Sequence, residues 1–290
     1  MEYENLVFEG GGVKGIAYVG ALQELENQGI LQHIKNVAGT SAGAITATLL
    51  ALNYTPDEIR SIMFNINFNY FVDKSKWKTK NIYDIITKFG IAKGNSFESW
   101  LNEIIYNKTR SFNTTFEKLN DLKSSRNLKI VGTNLSKKTI EVFSNKTSPN
   151  MSIATAVRIS MSIPLFFQAV KYNNNIYIDG GLFWNYPLSI YDKHNVYNLY
   201  TLGLRIDSTN NIPKIQKLSF INYLKMLIDI ILNQQDSKHI QTEDWERTIS
   251  IYDQNVSAIN FNISTDTKLK LIDSGEKAVI KYFERGENNV

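Results

Sequence analysis

The sequence of 290 residues contains no cysteine, only three histidines and only five prolines. Without cysteine, the chain has no disulfide, no thiolate nucleophile and no cysteine-based zinc or iron–sulfur site. The histidines are His33, His194 and His239. None of them stands in an H-x-x-x-H or H-E-x-x-H spacing, so we expect neither a metal site nor another cofactor.

Long apolar runs are missing as well. Residues 1–5 are acidic and lack the basic region and apolar core of a secretion signal. The most apolar stretch, residues 223–232, contains Lys225 and Asp229 and is too short to span a bilayer. A formal net charge of +4 is far from the dense basic surface of a nucleic-acid-binding protein. We therefore expect a soluble cytoplasmic protein with no nucleic-acid partner.

The first 52 residues contain the same arrangement twice: a short apolar stretch, a glycine-rich turn and a helical pattern. Residues 6–8 precede one such turn, and residues 36–38 precede the other. Repeated alternation of strand and helix is typical of an α/β protein with parallel strands. We predict a core over residues 5–204 and a mainly helical C-terminal extension over residues 205–290. The extension packs on the same domain and ends in a helix from about 274 to 284.

One of the glycine turns has the pattern of a nucleophile elbow. Gly39-x-Ser41-x-Gly43 follows a predicted strand and precedes a predicted helix. The serine of such an elbow lies in a cramped turn, and glycines on either side avoid collisions of Cβ atoms with strand and helix. The alternative is a turn of small residues in which Ser41 only caps the helix that begins at Ala42.

The other turn is richer in glycine. It consists of Gly10, Gly11, Gly12, Val13, Lys14 and Gly15. Consecutive glycines allow several backbone N–H groups to point into one cavity, as the oxyanion of acyl transfer requires. A phosphate-binding loop fits less well, because Lys14 is followed by Gly15 and not by serine or threonine. A plain strand-to-helix connection is a further alternative.

An aspartate follows a third predicted strand. Asp179, Gly180 and Gly181 come directly after the apolar residues 176–178. An aspartate at the end of a strand is well placed to project into a cleft. In isolation, the same tripeptide is also a common hairpin turn.

Taken in order, these three motifs resemble those of the patatin-like phospholipase family, G-G-G-x-[K/R]-G, G-x-S-x-G and D-G-[A/G]. The similarity extends over residues 5–204 and includes residues 128–135 and 156–164. It implies a three-layer α/β/α fold with a mainly parallel central sheet. It also implies a nucleophile, Ser41, whose catalytic partner is Asp179. The implied oxyanion donors are the backbone amides of Gly10, Gly11, Gly12 and Ala42, supported by Val13, Lys14, Gly15, Gly39, Gly43, Gly180 and Gly181.

The resemblance implies a serine lipid acyl hydrolase of the phospholipase A or lysophospholipase type, which acts on a phospholipid or another acyl lipid. Two alternatives are open. One is a Ser-His-Asp esterase that uses His194 or His239, although the early position of the serine argues against that fold. The other is a non-catalytic lipid-binding or signalling member. For Lys14, the alternatives are support of the oxyanion loop, attraction of a phosphate group, or a solvated surface position.

Two segments are candidates for transient peripheral contact with a membrane. The first combines cations with an indole: Lys74, Lys76, Trp77, Lys78 and Lys80. The second, residues 215–232, has apolar residues at helical spacing, a pattern that favours packing on the core over covering the active site or docking on lipid. The sequence leaves the oligomeric state open.

Overall fold

A computed structural model of the chain describes residues 2–66, 71, 90–194, 196–207 and 242–287. Its strands are β1 (Asn5–Phe8), β2 (Asn36–Thr40), β3 (Gly90–Ala92), β4 (Asn127–Asn134), β5 (Thr139–Ser144), β6 (Leu165–Phe167), β7 (Val170–Tyr172), β8 (Asn175–Asp179), β9 (Thr201–Asp207) and β10 (Thr248–Tyr252). Its helices are α1 (Ala17–Asn27), α2 (Ala42–Ala51), α3 (Pro56–Asn65), α4 (Asn95–Thr109), α5 (Phe116–Asn120), α6 (Ile153–Ser160), α7 (Thr242–Glu246) and α8 (Thr265–Glu287).

In the described part of the chain, eight strands form one mixed sheet in the order β10-β9-β1-β2-β4-β8-β7, with β5 paired to β4. The five strands from β10 to β4 run parallel to one another. The strands β5, β7 and β8 are antiparallel to their neighbours. Because the carboxyl ends of parallel strands meet at one edge, the turns that follow β1 and β2 lie side by side.

The central strands are buried on both faces, as expected for a covered parallel sheet. On one face Phe8 meets Tyr18 of α1 edge-on, with ring centroids 5.3 Å apart. On the other face Val7 packs with Tyr186 and Leu188. On that second face Trp245 of α7 also lies over the guanidinium of β9 residue Arg205. These layers confirm the predicted three-layer α/β/α fold.

The C-terminal extension contributes to the sheet as well as to the helical layer. Strand β10 pairs in parallel with β9, and α8 packs against α1. The predicted start of the last helix, near residue 274, is wrong, since α8 begins at Thr265. The hydroxyl of Ser264 accepts a hydrogen bond from the Thr267 amide (3.1 Å) and so caps the first turn. The first turn of α8 consists of polar residues, so the apolar spacing that predicts a helix begins only after it.

Among the described residues, no helix is both long and apolar enough to cross a bilayer. The lysine-rich segment at residues 74–80 and the apolar segment at residues 215–232 lie outside the described residues.

Candidate active site

Ser41 connects β2 to α2 with a backbone conformation that side-chain-bearing residues rarely adopt, φ 52° and ψ −123°. The two flanking glycines make the turn possible. A Cβ atom on Gly39 would lie 2.3 Å from the carbonyl oxygen of Gly43, and one on Gly43 would lie 2.5 Å from that of Phe8. The structure therefore has the strand, tight turn and helix that the elbow pattern requires, with Ser41 at the carboxyl edge of the sheet.

The Ser41 hydroxyl donates a hydrogen bond of 2.7 Å to Oδ2 of Asp179, 138 positions away in the sequence. Strand β8 makes this contact possible, because it pairs antiparallel to β4 and places Asp179 opposite Gly132. The other carboxylate oxygen, Oδ1, accepts a hydrogen bond of 2.7 Å from the amide of Gly181. Asp179 is fully buried.

Burial raises the pKa of Asp179 from 3.8 to about 7, because a charged carboxylate is poorly solvated there. The hydrogen bonds from Ser41 and from the Gly181 amide favour the charged form and oppose part of this rise in pKa. An ordinary aspartate is a weak base at neutral pH, whereas a carboxyl group with a pKa near 7 is much better matched to proton transfer.

A second serine holds the elbow in place. The hydroxyl of Ser160 accepts a hydrogen bond from the Ser41 amide (2.8 Å) and donates one to the carbonyl of Val131 (2.6 Å). The next residue, Met161, places its sulfur 3.6 Å from the Ser41 hydroxyl. Ser160 lies within the segment 156–164 that resembles the family, but no spacing pattern in the sequence connects it to Ser41.

Residues 10–15, the glycine loop, lie against the elbow. A Cβ atom on Gly10 would be 3.2 Å from the Cβ of Ser41, and one on Gly15 would be 2.9 Å from that of Ala42. The amide of Gly10 donates to the carbonyl of Asn185 (3.0 Å) and is therefore already used. Within the described part of the chain, the amides of Gly11, Gly12 and Ala42 donate no hydrogen bond.

Two buried side chains support the glycine loop. The Asn185 side-chain amide donates to the carbonyl of Gly10 (3.0 Å). Lys14 is only 3% exposed and forms an ion pair of 3.4 Å with Asp253. The interpretation of Lys14 as a solvated surface lysine is therefore wrong. Sequence reasoning missed Asn185 and Asp253, because neither belongs to a recognisable motif.

The described histidines lie away from the Ser41–Asp179 pair. His194 is exposed in a surface turn, and His33 is paired with Glu2 at 2.6 Å. Neither of these two described histidines lies between Ser41 and Asp179, since the hydroxyl contacts the carboxylate directly. His239 lies outside the described residues. Within those residues, no three histidine, aspartate or glutamate side chains cluster as metal ligands would.

Comparison with known proteins gives the same assignment as the three motifs. The family described as patatin-like phospholipase matches residues 6–191, more than half of the chain. The chain belongs to the patatin-like phospholipase family. This match contains both Ser41 and Asp179, and it ends before β9, α7, β10 and α8.

Relatives of this patatin-like chain occur in viruses. It is 32% identical to the uncharacterized protein R571 of Acanthamoeba polyphaga mimivirus, over 96% of this chain and 93% of that protein. It is also 32% identical to the probable lipid hydrolase 463L of Invertebrate iridescent virus 6, over 67% of this chain and 64% of that protein.

A bacterial protein of known structure shares the fold. VipD from Legionella pneumophila superposes with a TM-score of 0.67 at 18% identity, over 98% of this chain and 67% of that one. The superposed region therefore extends well beyond residues 6–191, into the C-terminal part of this chain.

Proposed function

We propose that the protein is a serine lipid acyl hydrolase of the phospholipase A or lysophospholipase type, with Ser41 as nucleophile and Asp179 as its only catalytic partner. The observation that supports this most directly is the 2.7 Å hydrogen bond between the two buried side chains. Membership of the patatin-like phospholipase family supports lipid as the substrate class. The viral relative named as a probable lipid hydrolase points the same way.

In the first half-reaction, Asp179 accepts the hydroxyl proton of Ser41 while Oγ attacks the carbonyl carbon of an acyl ester. Negative charge develops on the carbonyl oxygen. The amides of Gly11, Gly12 and Ala42 are the donors that stabilise it, whereas the amide of Gly10 is already paired with Asn185. One such donor contributes about 2.7–4 kcal/mol in comparable sites.

Collapse of the tetrahedral intermediate breaks the ester C–O bond and leaves the acyl group on Ser41. Asp179 returns the proton to the departing alcohol or lysophospholipid. In the second half-reaction, water gives a proton to Asp179 and attacks the acyl-serine, and the fatty acid is released. The proton then returns to Ser41, so one carboxylate serves both half-reactions.

Substrate reaches this site by transient peripheral contact with a lipid surface. The exposure of Phe183 supports this proposal. Its apolar side chain is 51% exposed and directly follows the turn Gly180–Leu182 next to Asp179, where it can contact lipid. The formal net charge of +4 favours anionic surfaces weakly. The cytoplasmic location expected from the sequence stays a prediction.

Because the chain has only three histidines, all of them can be replaced in one variant to test whether catalysis needs an imidazole. Ser41→Ala and Asp179→Asn should each lower the hydrolysis of a short-chain p-nitrophenyl ester, and the release of fatty acid from phospholipid vesicles, by about 1,000-fold or more. A variant with all three histidines replaced by glutamine should keep its activity, because the proposed pair needs no imidazole.

Each alternative gives a different result. Loss of activity in the histidine-free variant, with the fold intact by circular dichroism, would favour a Ser-His-Asp esterase that uses His239. Equal rates for wild type and Ser41→Ala would favour a non-catalytic lipid-binding member.

A further inference from the structure

The glycine loop is enclosed on one side by chain from outside the family match. Residues 253–258, which we name the closing segment, connect the end of β10 to the region before α8. We propose that the closing segment, and Asp253 in particular, positions the glycine loop for catalysis. This inference rests on the proposed hydrolase function and makes Asp253 a positioning residue rather than a catalytic one.

The first contact joins backbone to backbone. The amide of Val13 donates a hydrogen bond of 3.0 Å to the carbonyl of Ala258. Gly12 approaches the same carbonyl so closely that a Cβ atom there would lie 2.0 Å from its oxygen. Gly12 also has a φ of +55°, which side-chain-bearing residues rarely adopt. The backbone that presents the Gly11 and Gly12 amides is thus fixed against Ala258.

The second contact is a buried ion pair. The side chains of Lys14 and Asp253 are 3% and 6% exposed, and their charged atoms lie 3.4 Å apart. Because both charges are removed from water, loss of either partner removes an opposite charge that stabilises the other. A lysine held in this way is shielded from substrate, so its effect on the reaction passes through the loop that carries it.

Asp253 is itself held firmly. Its second carboxylate oxygen accepts a hydrogen bond of 2.9 Å from the amide of Asn255. The backbone amide of Asp253 donates a hydrogen bond of 3.3 Å to the carbonyl of Asp207 on β9. The carbonyl of the preceding residue, Tyr252, accepts a hydrogen bond of 2.7 Å from the hydroxyl of Ser274 on α8. The closing segment is therefore anchored to the sheet and to the last helix, and it transmits that rigidity to the glycine loop.

Rigidity of this loop matters because oxyanion donors act only when they are aligned before the charge appears. Asp253→Asn keeps the oxygen that accepts from Asn255 and removes the charge facing Lys14. We expect kcat for ester hydrolysis to fall about tenfold to hundredfold with KM little changed, as a displacement of about 1 Å would cause. Hydrogen–deuterium exchange of peptides spanning residues 9–16 should become faster.

The chain offers a matched control at the opposite end of β10. Asp192 forms an ion pair of 2.6 Å with the buried Arg247, and its Oδ1 also accepts from the amide of Asn198. Asp192→Asn makes the same chemical change at another buried ion pair, away from the glycine loop, where Arg247 keeps an ion pair of 2.8 Å with Asp244. It should lower the midpoint of thermal unfolding but leave kcat and the exchange of residues 9–16 unchanged.

A double variant, Lys14→Met with Asp253→Asn, avoids a lone buried charge and guards against misfolding. If the two residues act through one contact, its kcat falls no further than that of Lys14→Met alone. The proposal is overturned if Asp253→Asn keeps wild-type kcat and exchange, or if Asp192→Asn lowers kcat equally. Failure of the proposed function looks different: wild type and Ser41→Ala would then hydrolyse ester at the same rate, while exchange of the loop would still report its positioning.

Discussion

Ser41 is held in a backbone conformation that costs a residue other than glycine roughly 1–3 kcal/mol. The surroundings leave it little freedom to relax. Its amide is bound by Ser160, its hydroxyl by Asp179, and the neighbouring glycines are in contact with backbone. These contacts offset the strain and keep the hydroxyl directed at the carboxylate before substrate arrives, so none of the binding energy of the substrate is needed for that alignment.

Replacement of Ser160 by alanine should reveal this support. The amide of Ser41 and the carbonyl of Val131 would each lose a hydrogen bond, and a buried amide left without a partner costs about 1–3 kcal/mol. We expect lower thermal stability and a kcat about tenfold lower, measured with a p-nitrophenyl ester.

Thr133→Val is the control for this change, because its buried hydroxyl has no hydrogen-bond partner among the described residues. This variant should keep wild-type activity and unfold at the same or a higher temperature. Wild-type kcat in Ser160→Ala would show that the elbow needs no such support.

The pKa of Asp179 predicts the pH dependence of the reaction. Because burial raises this pKa to about 7, the carboxylate is progressively protonated, and lost as a base, as the pH falls below neutrality. We expect kcat/KM to decrease about tenfold per pH unit well below pH 7 and to level off above it, in the histidine-free variant as in wild type. A plateau that continues down to about pH 5 would contradict a buried, desolvated base.

Sequence motifs predicted Ser41 and Asp179 because each stands beside glycines that the turn requires. The residues that support Ser41 and the glycine loop have no comparable sequence pattern around them. Ser160 lies 119 positions from Ser41, and Asp253 lies 239 positions from Lys14. In one sequence, a serine near the end of a helix or an aspartate after a strand looks the same whether or not it supports a catalytic loop.

At the scale of secondary structure, the crossing of α1 and α8 connects the closing segment to the rest of the fold. A Cβ atom on Gly20 would lie 1.9 Å from the carbonyl oxygen of Ile272, and one on Gly275 would lie 2.0 Å from that of Ala17. The two helices therefore meet backbone to backbone. Since Ser274 of α8 also binds the carbonyl of Tyr252, this crossing fixes the position of β10 and of the residues that follow it.

Gly275→Ala tests how tight this crossing is. Alanine favours a helix over glycine by about 1 kcal/mol, but here its methyl group would force the helices apart. We expect the free energy of unfolding, measured with urea, to fall by about 1–3 kcal/mol.

Lys277→Ala, on the exposed side of α8, loses only a surface ion pair with Asp273. It should change the free energy of unfolding by less than about 0.5 kcal/mol. A stabilised Gly275→Ala would mean that the helices can separate freely.

Local signals predicted several of these elements well. Thr55 and Glu58 form a capping box at the start of α3 and Pro56 is its first residue, a local signal for a helix start that is readable in the sequence. Strand β10 was missed, because its residues follow a stretch with helical spacing and form only a short run. Its stability comes from pairing with β9, which is a property of the sheet and not of the segment.

At the scale of the whole molecule, the candidate site brings together residues that are far apart in the chain. Alternating strands and helices predicted the parallel strands that carry Gly10 and Ser41. They did not predict that β8 would run antiparallel to β4, and this pairing is what brings Asp179 to the serine. Nor could they place β10 at the other side of the sheet. Which strands become neighbours is decided by packing across the whole domain, and no short stretch of sequence contains that information.

The position of Asp253 in the sequence determines when, during synthesis, the glycine loop can make its contacts with the closing segment. The ribosome synthesises Asp253 239 residues after Lys14. At roughly 5–20 residues per second, this interval lasts on the order of 10–50 s. During that time the nascent chain already contains Ser41 and later Asp179, but its glycine loop has no carbonyl from Ala258 to rest against. Until Ala258 is synthesised, the chain therefore lacks the backbone contact that we propose positions the glycine loop for catalysis.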